Sequence, residues 1–223
     1  MKIRISEHFY SLQGEGQTMG IPAVFIRLQA CNIMCGGYGT QKDGELHNGA
    51  TWRCDTIEVW TKGLAKTIEE ASDMIEELYG DVLKKGAHLV WTGGEPLLQQ
   101  KQICLVMKEL YDRGIHPFTE CETNGTILPS QEYENWIDLF NVSPKLANSG
   151  VPYEKRIKKE VLSYFENIDN SILKFVITNE DNWKEVCELE LRRDKIFLMP
   201  SASNIEELKE TQKVVVDIAI REV

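Results

Sequence analysis

The sequence predicts an α/β fold built on a mostly parallel sheet. Short apolar runs alternate with amphipathic segments along the chain. Polar or glycine-bearing signatures also recur just past the runs, where a parallel sheet binds its ligands. The runs are Ala23–Leu28, His88–Trp91, Phe118–Glu122, Leu139–Val142, Leu173–Ile177 and Ile196–Met199. Between the first two, Ile68, Ala71, Ile75, Leu78 and Val82 recur at three- and four-residue steps and mark one helix face. Thr67 with Glu70 reads as a capping box that starts this helix. Ile103, Val106, Met107 and Leu110 mark a second helix, which Gly114 ends. Ser203 with Glu206 reads as another capping box, ahead of Ile205 and Leu208. Strand followed by helix, repeated, implies right-handed crossovers between parallel strands.

The chain of 223 residues is long enough for one domain with a full core and short for two. A single domain over residues 1–223 is expected. The formal net charge of -10 disfavours nucleic acid or an anionic membrane surface as a partner. No apolar run is long enough to span a bilayer, and MKIRISEHFY lacks the apolar stretch of a secretory signal. A cytoplasmic protein is expected.

Six cysteines in such a chain do not read as a disulfide framework. Cys31, Cys35 and Cys54 cluster, whereas Cys104, Cys121 and Cys187 stand apart. Three thiolates suit an iron–sulfur cubane with one iron left open for a substrate or cofactor. Cys31, Cys35, His47 and Cys54 suit a structural zinc site almost as well. Cysteine spacing alone leaves both readings standing. Cys104, Cys121 and Cys187 read as packed thiols.

The strand ends add to this. TGGEP, Thr92–Pro96, follows one run, ETNG, Glu122–Gly125, the next, and SPK, Ser143–Lys145, the one after. Each alone reads as a turn. Three polar signatures at three successive strand ends read as one ligand site.

These residues resemble the radical S-adenosylmethionine superfamily and, within it, the 7-carboxy-7-deazaguanine synthases. The resemblance is carried by SLQGEG (Ser11–Gly16), Phe25–Asn32, Cys54-Asp55-Thr56, TGGEP, ETNG, SPK, LKFVI (Leu173–Ile177) and LMP (Leu198–Pro200). It implies an incomplete (β/α)6 barrel in a single domain. It implies a lyase that uses a 4Fe-4S cluster and S-adenosyl-L-methionine to generate a 5'-deoxyadenosyl radical. The radical removes a hydrogen from 6-carboxy-5,6,7,8-tetrahydropterin, and the ring contracts with loss of ammonia. The product, 7-carboxy-7-deazaguanine, belongs to queuosine and 7-deazapurine biosynthesis. Mg²⁺, a reducing flavoprotein or similar electron donor, and a homodimer are further implications.

Roles follow position by position. The resemblance makes Cys31, Cys35 and Cys54 the cluster ligands and Thr56 the magnesium ligand. Leu12, Gln13, Gly14, Glu15, Arg27 and Thr92 match substrate-binding positions. Arg27 suits a substrate carboxylate because its planar fork pairs bidentately; a salt bridge to a protein carboxylate is the competing reading. Arg53, Cys54, Asp55, Gly94, Glu122, Asn124, Ser143, Pro144 and Lys145 match cofactor-binding positions.

Two features depart from the family pattern. The superfamily usually places three residues between its first two cysteines and two between the second and third. Here Asn32–Met34 fit the first gap, but Gly36–Arg53 insert eighteen residues into the second. Thr51 stands where the second cysteine would fall counted back from Cys54, so Cys35 must supply that ligand across the insertion at 36–53. The resemblance also implies a short substrate-contacting extension past the run VVVDIAIREV, and no residue is assigned there. The competing functions are a glycyl-radical activating enzyme, which shares the cysteines and TGGEP, and a zinc-binding structural module.

Overall fold

The computed structural model describes residues 1–37, 44–202 and 204–222. The chain divides into two compact units. The first comprises Met1–Asn32, Asp55–Thr123 and Ile127–Asn141; the second comprises Ile33–Cys54, Asn124–Thr126 and Val142–Val223. The structure has the α/β character and predominantly parallel strands that the sequence predicts.

The first unit contains β1 (Lys2–Leu12), β2 (Pro22–Leu28), α1 (Ile57–Trp60), β3 (Leu64–Thr67), α2 (Ile68–Lys84), β4 (His88–Gly93), α3 (Gln100–Asp112), β5 (Thr119–Thr123), α4 (Gln131–Glu134) and β6 (Leu139–Val142), which ends at its border. Its strands lie in the order β3-β1-β2-β4-β5-β6. β1 runs antiparallel to both β2 and β3, while β2, β4 and β5 are parallel. β1 and β3 were not among the strands read from sequence. The sequence strands otherwise match the observed ones to within two residues at each end.

Registry sorts the side chains. Glu7, Arg27 and Thr92 lie side by side on one face, with Phe9, Phe25, Val90 and Glu120 in the next row and Ser11, Ala23 and His88 below. His8, Ile26, Trp91 and Cys121 point to the opposite face. That second face packs under the helices: Tyr79 of α2 meets His8, and Tyr133 of α4 meets Cys121. It is apolar in the parallel strands, as burial against helices requires.

The Thr67–Glu70 capping box forms in both directions, at 3.1 and 2.7 Å. The buried face of α2 runs through Ala71, Ser72, Ile75 and Leu83, so Leu78 is exposed and Val82 only half-buried. The four-residue steps from Ile75 pass through Tyr79 to Leu83 and rotate the stripe past Leu78. On α3, Ile103, Val106, Met107 and Leu110 are all buried. Gly114 ends it: its N–H meets the Tyr111 carbonyl and that of Ile115 meets Leu110, a Schellman pair.

The second unit contains α5 (Tyr153–Arg156), α6 (Lys159–Asn167), β7 (Ser171–Ile177), α7 (Glu180–Glu188), β8 (Ile196–Pro200) and α8 (Ile205–Glu222). β7 and β8 are parallel, with Leu173 beside Ile196 and Ile177 beside Pro200. The buried Lys195 ammonium closes the turn into β7 on the carbonyls of Ile168, Asp169 and Ser171. Asn204 accepts from the Glu207 N–H at the start of α8; Ser203, read as that helix's cap, lies outside the described residues.

Candidate active site

The carboxyl ends of β2 and β4 build one wall. β4 ends in Thr92 and Gly93, and Gly94 turns back so that its N–H meets the Leu28 carbonyl at 3.2 Å. The next N–H, of Glu95, meets the carbonyl of Ala30 at 2.9 Å. A Cβ on Gly94 would lie 2.0 Å from the Ala30 oxygen and 2.8 Å from the Cys31 nitrogen, so only glycine lets the TGGEP turn lie against the start of the cysteine loop. Glu95 is fully buried and accepts from the Leu97 N–H and the Thr123 hydroxyl, which fixes the turn to β5. Ala30 adopts a left-handed φ of 77°, a strained value for a residue with a Cβ. Its N–H donates to the Trp60 carbonyl, so both its backbone polar groups are held.

The polar face of the first unit's sheet carries the next group. Glu122 accepts from the Thr92 hydroxyl at 2.7 Å and from Gln13 Nε2 at 3.2 Å. Gln13 is only 3% exposed, and its side-chain oxygen accepts from the Glu15 N–H. The structure therefore joins three residues of the sequence reading: Gln13, Thr92 and Glu122. Arg27, in the same row, donates through Nε to Glu7 at 2.7 Å. The salt bridge weighed against a substrate role thus exists, but it engages Nε alone. Among the described residues the two Nη groups have no protein acceptor. Leu12 and Glu15 are exposed at the end of β1, and the Cα of Gly14 faces open space.

Sequence reasoning missed Glu120, His88, Asn141 and Thr18. Glu120 is 0% exposed, yet its carboxylate accepts from His88 Nδ1, Asn141 Nδ2 and the Thr18 hydroxyl at 2.7, 2.7 and 2.9 Å. The alternation in Thr119-Glu120-Cys121-Glu122-Thr123 was the available signal. A strand buried on both faces is ordinarily apolar throughout, so carboxylates at every second position mark a working face.

In the second unit the described residues at the two ends of the insertion meet. The Cys54 N–H donates to the Cys35 carbonyl at 3.3 Å, and the His47 N–H to the Gly36 carbonyl at 3.0 Å. The eighteen-residue gap thus brings the backbones of Cys35 and Cys54 together. The segment docks on the turn after SPK: the Gly36 N–H meets the Ser149 carbonyl and the Thr51 N–H that of Asn148. Gly150, with φ 69°, is needed here, since a Cβ would lie 2.6 Å from the His47 oxygen. Lys145 donates to the Ser143 hydroxyl and lies over the Trp52 ring at 5.9 Å. Arg53 reaches the Cys54 carbonyl, Asp55 is exposed, and Asn124 forms a turn with Thr126. Thr56 is the N-cap residue of α1, and its hydroxyl does not cap that helix.

Among the described residues the six cysteines form no disulfide, and they are of two kinds. Burial, then the charge of Glu132, pushes the Cys104 thiol up to about 11. Burial, then Glu95, pushes Cys121 well above the usual thiol range. Both stay protonated and inert as ligands. Cys187, on α7, accepts from Arg193 beyond the end of that helix. That leaves Cys31, Cys35 and Cys54. Among the described residues no three His, Cys, Asp or Glu side chains converge as around a single metal ion. A cubane does not ask for convergence on one point, because each thiolate binds a different iron. Three cysteines are a donor set of the kind such a cluster takes: Cys35 and Cys54 on backbones joined by a hydrogen bond, and Cys31 just past the residue that meets the TGGEP turn.

No family model matches the chain. Curated relatives do. The 7-carboxy-7-deazaguanine synthase of Pyrobaculum aerophilum is 31% identical over 99% of this chain and 89% of its own length. The chain belongs to the 7-carboxy-7-deazaguanine synthase family. The family member from Halobacterium salinarum is also 31% identical, over 97% of this chain and 84% of the relative. The crystal structure of QueE from Escherichia coli superimposes with a TM-score of 0.64 at 25% identity, covering 100% of this chain and 91% of that one. The family's radical S-adenosylmethionine fold is therefore the fold of this chain, and neither a glycyl-radical activating enzyme nor a zinc module is favoured. Among the described residues no helix is long and apolar enough to cross a membrane.

Proposed function

We infer that this protein is a radical S-adenosylmethionine carbon–nitrogen lyase that converts 6-carboxy-5,6,7,8-tetrahydropterin to 7-carboxy-7-deazaguanine, with loss of ammonia. The observation that carries the reading is the joined set Gln13, Thr92 and Glu122, with Arg27 beside Thr92 in the same row, at the strand ends where the TGGEP turn meets the Cys31 loop.

Cys31, Cys35 and Cys54 hold the 4Fe-4S cluster. When bound, the cluster supplies the electron that cleaves S-adenosylmethionine reductively. Gly94, Arg53, Asp55, Asn124, Ser143, Pro144 and Lys145 contact that cofactor, and Thr56 offers a hydroxyl to Mg²⁺, a hard ion that suits oxygen ligands. Arg27 receives the substrate carboxylate on its Nη groups, while Glu7 holds the guanidinium by Nε. Glu122, with Thr92 and Gln13 as its donors, faces the polar edge of the pterin. Leu12 and Gly14 contribute backbone, because the Leu12 side chain turns outward and the space beside Gly14 is open. A reducing flavoprotein as electron donor and a homodimer complete the proposal.

The test is anaerobic reconstitution with iron and sulfide, followed by reduction with S-adenosylmethionine and the carboxypterin. A brown protein with about four irons per chain and formation of the deazaguanine are expected. Cofactor cleavage that ignores the pterin would overturn the substrate. Cys35→Ala should abolish the cluster while His47→Ala keeps it; the reverse would show that the insertion, not Cys35, supplies the ligand.

A further inference from the structure

Glu120 does nothing in the mechanism above, yet it is the most deeply buried charge on the polar face. Removing this carboxylate alone would leave the polar groups gathered around it buried and unpaired, which is costly. A charge kept here therefore orders something. Four donors reach it, filling the acceptor capacity of one carboxylate. Oε1 takes His88 Nδ1 at 2.7 Å. Oε2 takes Asn141 Nδ2 at 2.7 Å, the Thr18 hydroxyl at 2.9 Å and, more weakly, Gln13 Nε2 at 3.5 Å.

Two of the four donors come from one loop. It leaves β1 at Gln13 and returns to β2 at Ile21, closed by the Gln13 N–H to Ile21 carbonyl bond at 2.8 Å and the Gly20 N–H to Gln13 carbonyl bond at 2.7 Å. Thr18 sits at the end of its single 3-10 turn, Gly16–Thr18. Thr18 pulls the loop onto β5, and Gln13 Nε2 is held between the carboxylates of Glu120 and Glu122. The amide nitrogen of Gln13 is thereby committed to the sheet and its oxygen to the Glu15 N–H. The loop's open edge is the backbone at Gly14.

We propose that Glu120 is a positioning residue that latches the Gln13–Ile21 loop to the sheet through Thr18 and Gln13, and so sets the depth at which a flat aminopyrimidine substrate meets the Gln13–Gly14 backbone. The proposal rests on the functional reading above for the identity of the substrate, but not for the latch itself.

Two readouts separate these. The first is hydrogen exchange of the Gln13, Gly20 and Ile21 amides in the cluster-loaded protein without substrate. The second is the split between KM for the carboxypterin and kcat. Thr18→Val, an isosteric change on a partly exposed loop, removes one donor to a charged acceptor, and Glu120→Gln removes the charge. Exchange at the loop amides should rise roughly tenfold in both, with Val90 and Cys121 amides in the strands unchanged. KM should rise by a similar factor, kcat should fall far less, and Thr18→Ser should restore both. Unchanged loop exchange in Thr18→Val overturns the latch. So does Glu120→Gln speeding exchange equally in loop and strands, which is the mark of a plain structural brace. If the wild-type protein leaves the pterin untouched, the substrate reading fails and the exchange data alone decide the latch.

Discussion

Strand β5 presents two chemistries on alternate residues. Glu120 and Glu122 point to one face, where they gather His88, Asn141, Thr18, Gln13 and Thr92. Cys121, between them, points to the other and meets Tyr133 beneath the helices. The same division runs through β4, where Val90 and Thr92 face one way and Trp91 the other. A residue's neighbour in sequence is thus its opposite in role: the helix-covered face supplies stability and the polar face supplies recognition. Period-two geometry makes this possible, since one strand serves both without sharing a side chain.

Trp91 gives the largest effect. It is fully buried on the helix-covered face, so Trp91→Ala should destabilise the fold by about 3–5 kcal/mol. A denaturant titration measures this. Turnover per folded molecule should survive in whatever fraction remains folded. A Trp91→Ala protein with normal stability and no turnover would break the division of faces.

One position along, the expectation extends to KM. Thr92→Val keeps the shape and removes the 2.7 Å bond to Glu122. Stability should fall by about 1.5–3 kcal/mol, the worth of one bond to a charged group and less than the loss at Trp91. KM for the pterin should rise by roughly tenfold, because a bond to a charged group is worth about 1.5–3 kcal/mol. Parallel titration and steady-state kinetics on the two variants sharpen the contrast: Trp91 moves the midpoint alone, Thr92 the midpoint less and KM as well.

The two faces were unequally legible in the sequence. Runs such as AVF and HLVW give the strands directly, because burial on both sides demands apolar residues, and the Thr67–Glu70 box and Gly114 fix helix ends by local hydrogen bonding. Gln13, Thr92 and Glu122 were readable as motif positions. Their mutual contact was not, since it joins residues 109 apart in the chain. The alternation of Glu120 with Cys121 and Glu122 hints at a working face, but nothing local shows that the partners of Glu120 come from a loop, β4 and β6. β1 mixes Glu7, His8 and Phe9 because it is antiparallel and its two faces meet different surroundings. The docking of His47 and Ala50 on Gly150 is likewise a long-range fit that no local pattern announces.

Both faces end at the turn where β2 hands over to the cysteine loop, and the smallest effect belongs there. Ala30 holds φ 77°, between the Trp60 carbonyl that its N–H meets and the Glu95 N–H that its own carbonyl receives. A left-handed residue with a Cβ is strained by roughly 1–2 kcal/mol. Ala30→Gly relieves this but adds freedom to the unfolded chain worth about 0.4–1 kcal/mol. The net gain in stability should lie between about 0 and about 1.6 kcal/mol, read as a slight rise in the unfolding midpoint. The functional consequence should run the other way. Strain is tolerated where surrounding contacts over-determine a geometry, and here they hold the backbone that leads into Cys31 and so set its aim. Glycine loosens that aim, so the reconstituted Ala30→Gly protein should lose cluster faster to a chelator than the wild type while unfolding slightly later. If it retains the cluster equally well, the strain at Ala30 serves the packing of the TGGEP turn alone, and the division between a stabilising and a working surface stops at the end of the strands.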